Sequence, residues 1–286
     1  MNPLPSGWTP EEDRIGFFGP DSVTWRVHSD PTFSVGGLRA LLLQALHPVA
    51  MDGVARFSVG FQDEPWPRLI RTATYVDTLT FGTRTEAVRA AARVRGIHRK
   101  LRGVEETTGR AYRVDDPDLL LWVHCCEVES LLDAARRGGV PLTDEEADRY
   151  VAEQVAAAAL IGLPPQDVPA SVAELDGYFE RVRPELAMTT AAREAYQLIL
   201  LPPMPTWVRY LTPAQAAWGG LASLAVALLP PWARRTASLP GLPLTDAAAT
   251  AAVRAFRQTT LLLPQRARRS PIVWGGWQRV AADPAA

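Results

Sequence analysis

Twenty-five prolines punctuate this 286-residue chain, several of them together, as Pro164-Pro165, Pro202-Pro203-Pro205 and Pro230-Pro231. Proline lacks a backbone N–H and pushes the residue before it out of helical geometry, so such clusters cut a chain into separate segments. Between them apolar residues recur at the helical period, and no run alternates as a half-buried strand does. Thr143 with Glu146, and Ser171 with Glu174, have the spacing of capping boxes, and Gly138-Gly139 is a helix stop. No internal repeat is found. The fold expected is all-α, a single helical domain over residues 1–286 with a core of about 20–265.

The segments follow from those signals. Pro20 to Pro31 reads as an irregular lead-in, followed by helices over Val35 to Ala45 and Met51 to Phe57. The proline-marked loop Asp63-Glu64-Pro65-Trp66-Pro67 precedes a helix carrying Arg68 to Thr80, and Thr83 opens another that Gly103 ends. Asp116 caps a helix from Pro117 to Arg137; others run from Thr143 to Leu160, from Ser171, from Ala191 to Leu201 and from Thr245 to Leu263. The apolar run Ala216 to Leu229 falls short of the ~20 residues that span a bilayer and reads as a buried helix or an interfacial contact.

Composition excludes several classes. With 30 Lys+Arg against 31 Asp+Glu, bulk charge draws no nucleic acid, and the one basic cluster, Arg93 to Arg102, reads as a solvated helix face. Cys125 and Cys126 are adjacent, which suits neither a zinc site nor an ordinary disulfide and is in keeping with a reducing compartment. Met1 to Pro20 has acidic residues and no charged-then-apolar leader, so the expected location is cytoplasmic, at most peripheral to a membrane. The nine tryptophans, among them Trp207, Trp218, Trp232, Trp274 and Trp277, suit a membrane surface, an apolar ligand or core packing alike. Oligomeric state is left open.

All four histidines, His28, His47, His98 and His124, lie in the first half. No paired Glu-x-x-His occurs for a di-iron bundle, since His124-x-x-Glu127 has the reverse order, and zincin, Gly-x-Ser-x-Gly and phosphate-loop motifs are missing. A cofactor held by one histidine is compatible with what remains. His98 lies on a face with Ala91, Val94 and Leu101, with Ile97 adding apolar surroundings, and Arg68, Arg71, Thr72 and Tyr75 form a polar stripe on the preceding helix. Haem asks for an imidazole, a cation for its propionates and an apolar slot. On spacing alone, a histidine on an apolar helix face is more often a hydrogen-bonded core residue. His47 reads as a helix-end histidine donating to a backbone carbonyl.

Five stretches in order, Val35-Gly-Gly-Leu-Arg-Ala-Leu-Leu-Leu-Gln-Ala-Leu-His47-Pro48, Arg68-x-x-Arg71-Thr72, Phe81-Gly82, Val94-Arg-x-Ile97-His98 and Asp116-Pro-x-Leu-Leu-Leu-Trp122-Val123-His124, resemble the family that groups latex clearing protein with the mycophenolic-acid-pathway oxygenase. The resemblance implies globin-like packing around a haem b pocket, and an oxygenase that uses dioxygen to cleave carbon–carbon double bonds in hydrophobic, isoprenoid substrates. It makes His98 the proximal iron ligand, with His124 as the rival. Arg68, Arg71 and Tyr75 become cofactor contacts, and Arg71 and Thr72 stabilise charge as oxygen is reduced. Arg71 stands where latex clearing protein has a lysine able to cap the iron, and a guanidinium, always charged, cannot be a ligand, so an open distal site is expected. Asp52 stands about where that protein has a pocket glutamate and is a candidate base, although a solvated carboxylate after a helix end is the plainer reading. Without a secretion leader, a small terpenoid or other secondary metabolite fits better than an extracellular polymer. The alternatives are a haem-binding sensor without catalysis and a cofactor-free helical scaffold.

Overall fold

A computed structural model describes residues 7–57, 65–105, 109–239 and 245–282. Among them the chain forms α1 (Pro10–Ile15), α2 (Val23–His28), α3 (Thr32–Gln44), α4 (Pro48–Phe57), α5 (Pro65–Phe81) and α6 (Arg84–His98). A short hairpin of β1 (Arg102–Val104) and β2 (Ala111–Arg113) leads to α7 (Pro117–Gly138), α8 (Asp144–Ile161), α9 (Val172–Val182), α10 (Thr190–Leu200) and α11 (Thr206–Leu211). The rest is α12 (Ala214–Ala227), α13 (Pro231–Thr236), α14 (Thr245–Leu261), α15 (Gln265–Arg268) and α16 (Pro271–Ala281). The architecture is all-α.

Its centre is the pairing of α3 with α7, the most extensive among the described residues. Gly36 makes it possible: a Cβ there would meet Leu131 and the Ser130 carbonyl at 3.0 Å. Val35, Leu42, Leu43, Trp122 and Leu131 are buried at this seam, each large aliphatic contributing roughly 1.5–3 kcal/mol over an exposed position. The seam also buries a charge. Arg39, 1% exposed, donates to the Glu129 carboxylate, to Ser130 Oγ at 2.8 Å and to the Leu228 carbonyl at 2.8 Å. Burial opposes its charge, but Glu129 and Asp133 more than offset this and hold the guanidinium protonated. α12 packs on α3 and α14 on α7; α6 packs on α5 and α8, and α16 closes over α5.

The expected caps at Thr83 and Thr143 are reciprocal capping boxes, and Ser171 accepts from the Glu174 N–H. Asp116 precedes α7 as expected, yet its side chain makes no capping bond. Three further expectations are corrected. Pro20 to Pro31 is not irregular: Ser22 caps α2, whose residues Val23, Thr24, Trp25, Val27 and His28 are all buried. Six residues are too few for a periodic signal, and tertiary burial stabilises this turn and a half. The helix of His98 ends at His98, not Gly103, because Gly103 pairs with Tyr112 in the hairpin, whose strands are too short to show alternation. The run at Ala216 to Leu229 forms α12, with only Ala222 and Ala225 buried within the helix, and Leu228 and Leu229 just after it. Asp63 and Glu64, and Met1 to Ser6, lie outside the described residues. No helix among those described is long and apolar enough to cross a membrane.

Candidate active site

The four histidines divide into two pairs. His28 is spoken for: Nδ1 lies 2.9 Å from Thr80 Oγ1 and Nε2 3.0 Å from the Tyr150 hydroxyl, while burial pushes its pKa down to about 3. His47 accepts from the Ala50 N–H at 3.3 Å, so it caps the start of α4 rather than donating to a carbonyl at the end of α3. His98 and His124 are different, for neither ring has a hydrogen-bond partner among the described residues. His98 ends α6, half-buried, and burial lowers its pKa although Asp115 works against this. His124, buried on α7, is pushed down by burial to about 4. Both imidazoles are therefore neutral at pH 7 with nitrogen lone pairs unspent.

Tyr75, on α5, packs in a cluster with Ala87 and Ala91 of α6 and Leu160 of α8. Its hydroxyl is buried without a partner, and burial and the nearby Glu127 raise its pKa while Arg95 lowers it. Arg95 lies one turn before His98 on α6, and Glu127 one turn after His124 on α7. Burial pushes the Glu127 carboxyl up to about 7, with no hydrogen bond to it among the described residues. A half-protonated carboxyl within electrostatic reach of an orphan phenol is the kind of pairing that clusters at functional sites. Glu127 was not singled out from the sequence, although its spacing from His124 was visible there.

The α5 stripe is only partly brought together. Arg68 and Thr72 line an apolar cavity of about 90 Å³ together with Leu38, Leu69, Trp66 and Trp218, and Val123, next to His124, forms part of its wall. Burial and the neighbouring Arg71 lower the pKa of Arg68. Thr72 Oγ1 donates to the Arg68 carbonyl at 3.2 Å, which spends the proton expected for a distal ligand and leaves an acceptor. Arg71 is exposed, as is Ile97 at 52%, so Ile97 does not wall His98 as expected. Asp52 does not line the cavity; its carboxylate accepts from Tyr112 and Arg56, tying α4 to β2.

This cavity shares Trp218 with two neighbouring spaces, the three together making up a cleft in separate compartments. Trp218 also lines spaces of about 520 Å³ and about 410 Å³, walled by residues such as Ser34, Leu221 and Phe256 from α3, α12 and α14. Its indole N–H donates to the Ile199 carbonyl and that of Trp66 to Pro203, so the two rings, 4.7 Å apart, turn only apolar surface to the cleft. This cleft was illegible in the sequence, where the tryptophans fitted several roles. No three His, Cys, Asp or Glu among the described residues converge as a metal cage; a one-histidine cofactor needs none.

Among the curated proteins and the solved structures, none matches this chain. Residues 25–263 do match a family, described as ER-bound oxygenase mpaB/B'/Rubber oxygenase, catalytic domain, and the matched segment carries both unspent histidines, the α5 stripe and most of the cleft wall. The chain therefore belongs to the mpaB/rubber oxygenase catalytic-domain family.

Proposed function

We propose that the protein is a haem b-dependent oxygenase that acts with dioxygen on a hydrophobic small molecule of isoprenoid type, by oxidative C=C cleavage or a related oxidation. The observation that carries this reading is the pair of neutral imidazoles without partners, His98 and His124, in a family of oxygenases. The residues present fit haem: an unspent imidazole, a partly buried arginine, an orphan phenol and an adjoining apolar cleft. When bound, haem supplies the iron chemistry that activates dioxygen. His98 would hold it, Arg68 would pair with a propionate, and Tyr75 would donate to a polar group beside it. Arg71 could not ligate iron; its guanidinium would offset the charge that develops as dioxygen is reduced, while Thr72, its proton spent on the Arg68 carbonyl, would be left as an acceptor. The cleft excludes water and aligns the hydrocarbon. Glu127, near pH 7 in both protonation states, holds or moves a proton at its carboxyl.

A second reading makes His124 the ligand, favoured by its deeper burial beside Val123 of the cavity wall. One set of absorption spectra decides. Reconstituted protein is expected to show a Soret band, lost in His98→Ala and kept in His124→Ala; the reverse pattern selects the second reading. No Soret band in the wild type sinks haem binding altogether. A band without dioxygen consumption on isoprenoid olefins makes the chain a haem-binding protein instead of an enzyme.

A further inference from the structure

At the far end of the cleft from Arg68 and Thr72, Arg268 and Arg269 form a wall common to two cavities. One is the apolar space of about 410 Å³ already described; the other, of about 330 Å³, is polar, with Arg26, Ser29, Asp30 and Trp277 around it. Three donors there are buried and unspent: the Nε groups of Arg268 and Arg269 and the indole N–H of Trp277. Arg269 lies over the Trp277 ring at 4.9 Å and donates to Gln265 at 3.2 Å, which fixes it without neutralising it. No carboxylate among the described residues pairs with either arginine. Those nearby are engaged: Asp30 with Arg257 at 2.8 Å, and Asp77 with the hydroxyl of Ser270 at 2.6 Å. Arg26 is matched by Glu146.

Two adjacent half-buried cations, whose Nε groups and the neighbouring indole N–H are buried without a partner, are costly unless an anion completes them. We propose that the substrate is amphiphilic: a carboxylate or phosphate head is held by Arg268, Arg269 and Trp277, and its hydrocarbon tail runs along the cleft toward Arg68 and Thr72. This rests on the oxygenase reading and names the substrate class for it. Along α5 the cleft is lined from Asp77 to Arg68, which at 1.5 Å per residue is roughly 13 Å, the reach of a medium-length tail. Both arginines lie beyond the matched segment 25–263.

Isothermal titration of the haem-loaded protein with dodecanoate, dodecyl phosphate and dodecanol tests it. At least one anion is expected to bind roughly tenfold or more tightly than the alcohol, the worth of one charge-assisted hydrogen bond, and the tighter anion identifies the head group. In Arg268→Gln/Arg269→Gln the anions fall to the level of dodecanol, whose affinity is unchanged. Equal binding of all three by the wild type overturns the proposal without recourse to any variant. So does a double variant that weakens dodecanol as much as the anions. An anion preference in protein that takes up no haem breaks the oxygenase reading alone; a Soret band with no anion preference breaks this one alone.

Discussion

Two histidine–tyrosine clusters lie close together in this molecule and are treated in opposite ways. In the first, His28 is bonded on both ring nitrogens, to Thr80 and to Tyr150, and Thr80 also accepts the Trp25 indole at its carbonyl. In the second, only His124 is buried while Glu127 and Tyr75 are half-buried, and none has a hydrogen bond through its side chain among the described residues, the Tyr75 hydroxyl being buried without a partner. Glu127 is near enough to act electrostatically on Tyr150 as well as Tyr75, so the two clusters share one environment. The difference is one of satisfaction as well as of burial. A satisfied polar group buried in a core is structure; an unsatisfied one is a cost that persists where a ligand repays it.

Replacing each histidine by phenylalanine tests that comparison most strongly. His28→Phe leaves the hydroxyls of Thr80 and Tyr150 without their partner and is expected to lower unfolding free energy by about 3 kcal/mol. His124→Phe removes a group that bonds nothing and is expected to change stability by about 1 kcal/mol or less, in either direction. Urea denaturation of the haem-free protein measures both. Equal losses would mean that His124 has a structural partner after all.

Acidity separates the clusters next. Glu127 has a folded pKa of about 7 against the ordinary 4.5. Between those values the folded state keeps a proton that the unfolded chain has lost, so stability falls as pH rises through that window and the full cost stands above it. His28, at about 3, and His124, at about 4, against 6.5, act with the opposite sign: below pH 6.5 the unfolded chain takes up protons that the folded state refuses, and stability falls as pH drops. Stability should peak near pH 7. Glu127→Gln is expected to flatten the alkaline limb and to raise stability at pH 8 by about 2 kcal/mol, read as a shift in urea midpoint at pH 6 and 8. An unchanged alkaline limb would place Glu127 in water.

Legibility followed the same division. Capping at Thr83 and Thr143 is a local matter of hydrogen bonds within four residues, so the sequence carried it. α2 was not legible, because six residues with no period are held by what buries them. At the site, His98, His124 and the order of family motifs could be read along the chain, and so could the stripe on α5. What could not be read was which of four histidines had already found partners, since Tyr150 lies 122 residues from His28. Nor could the engagement of Asp52 by Tyr112, the exposure of Arg71, or the meeting of Arg268 and Arg269 with Trp277 be foreseen.

The smallest expected effects lie with the tyrosines, and they discriminate best between an idle orphan and a functional one. Tyr150→Phe removes the partner of His28 and should cost about 1 kcal/mol. Tyr75→Phe removes a hydroxyl that bonds nothing and should cost within ~0.5 kcal/mol of zero. Tyr196 on α10 supplies the control, because its hydroxyl is also buried without a partner but packs in the main core and not in the cluster of Tyr75. Stability alone cannot tell Tyr75 from Tyr196, since both substitutions discard an unspent donor. Ligand binding can: Tyr75→Phe is expected to shift the Soret maximum or weaken haem uptake, whereas Tyr196→Phe leaves both as in the wild type. If the two variants gave the same spectrum, the orphan at Tyr75 would be an ordinary packing compromise, and the contrast between the two histidine clusters would lose its functional meaning at that residue.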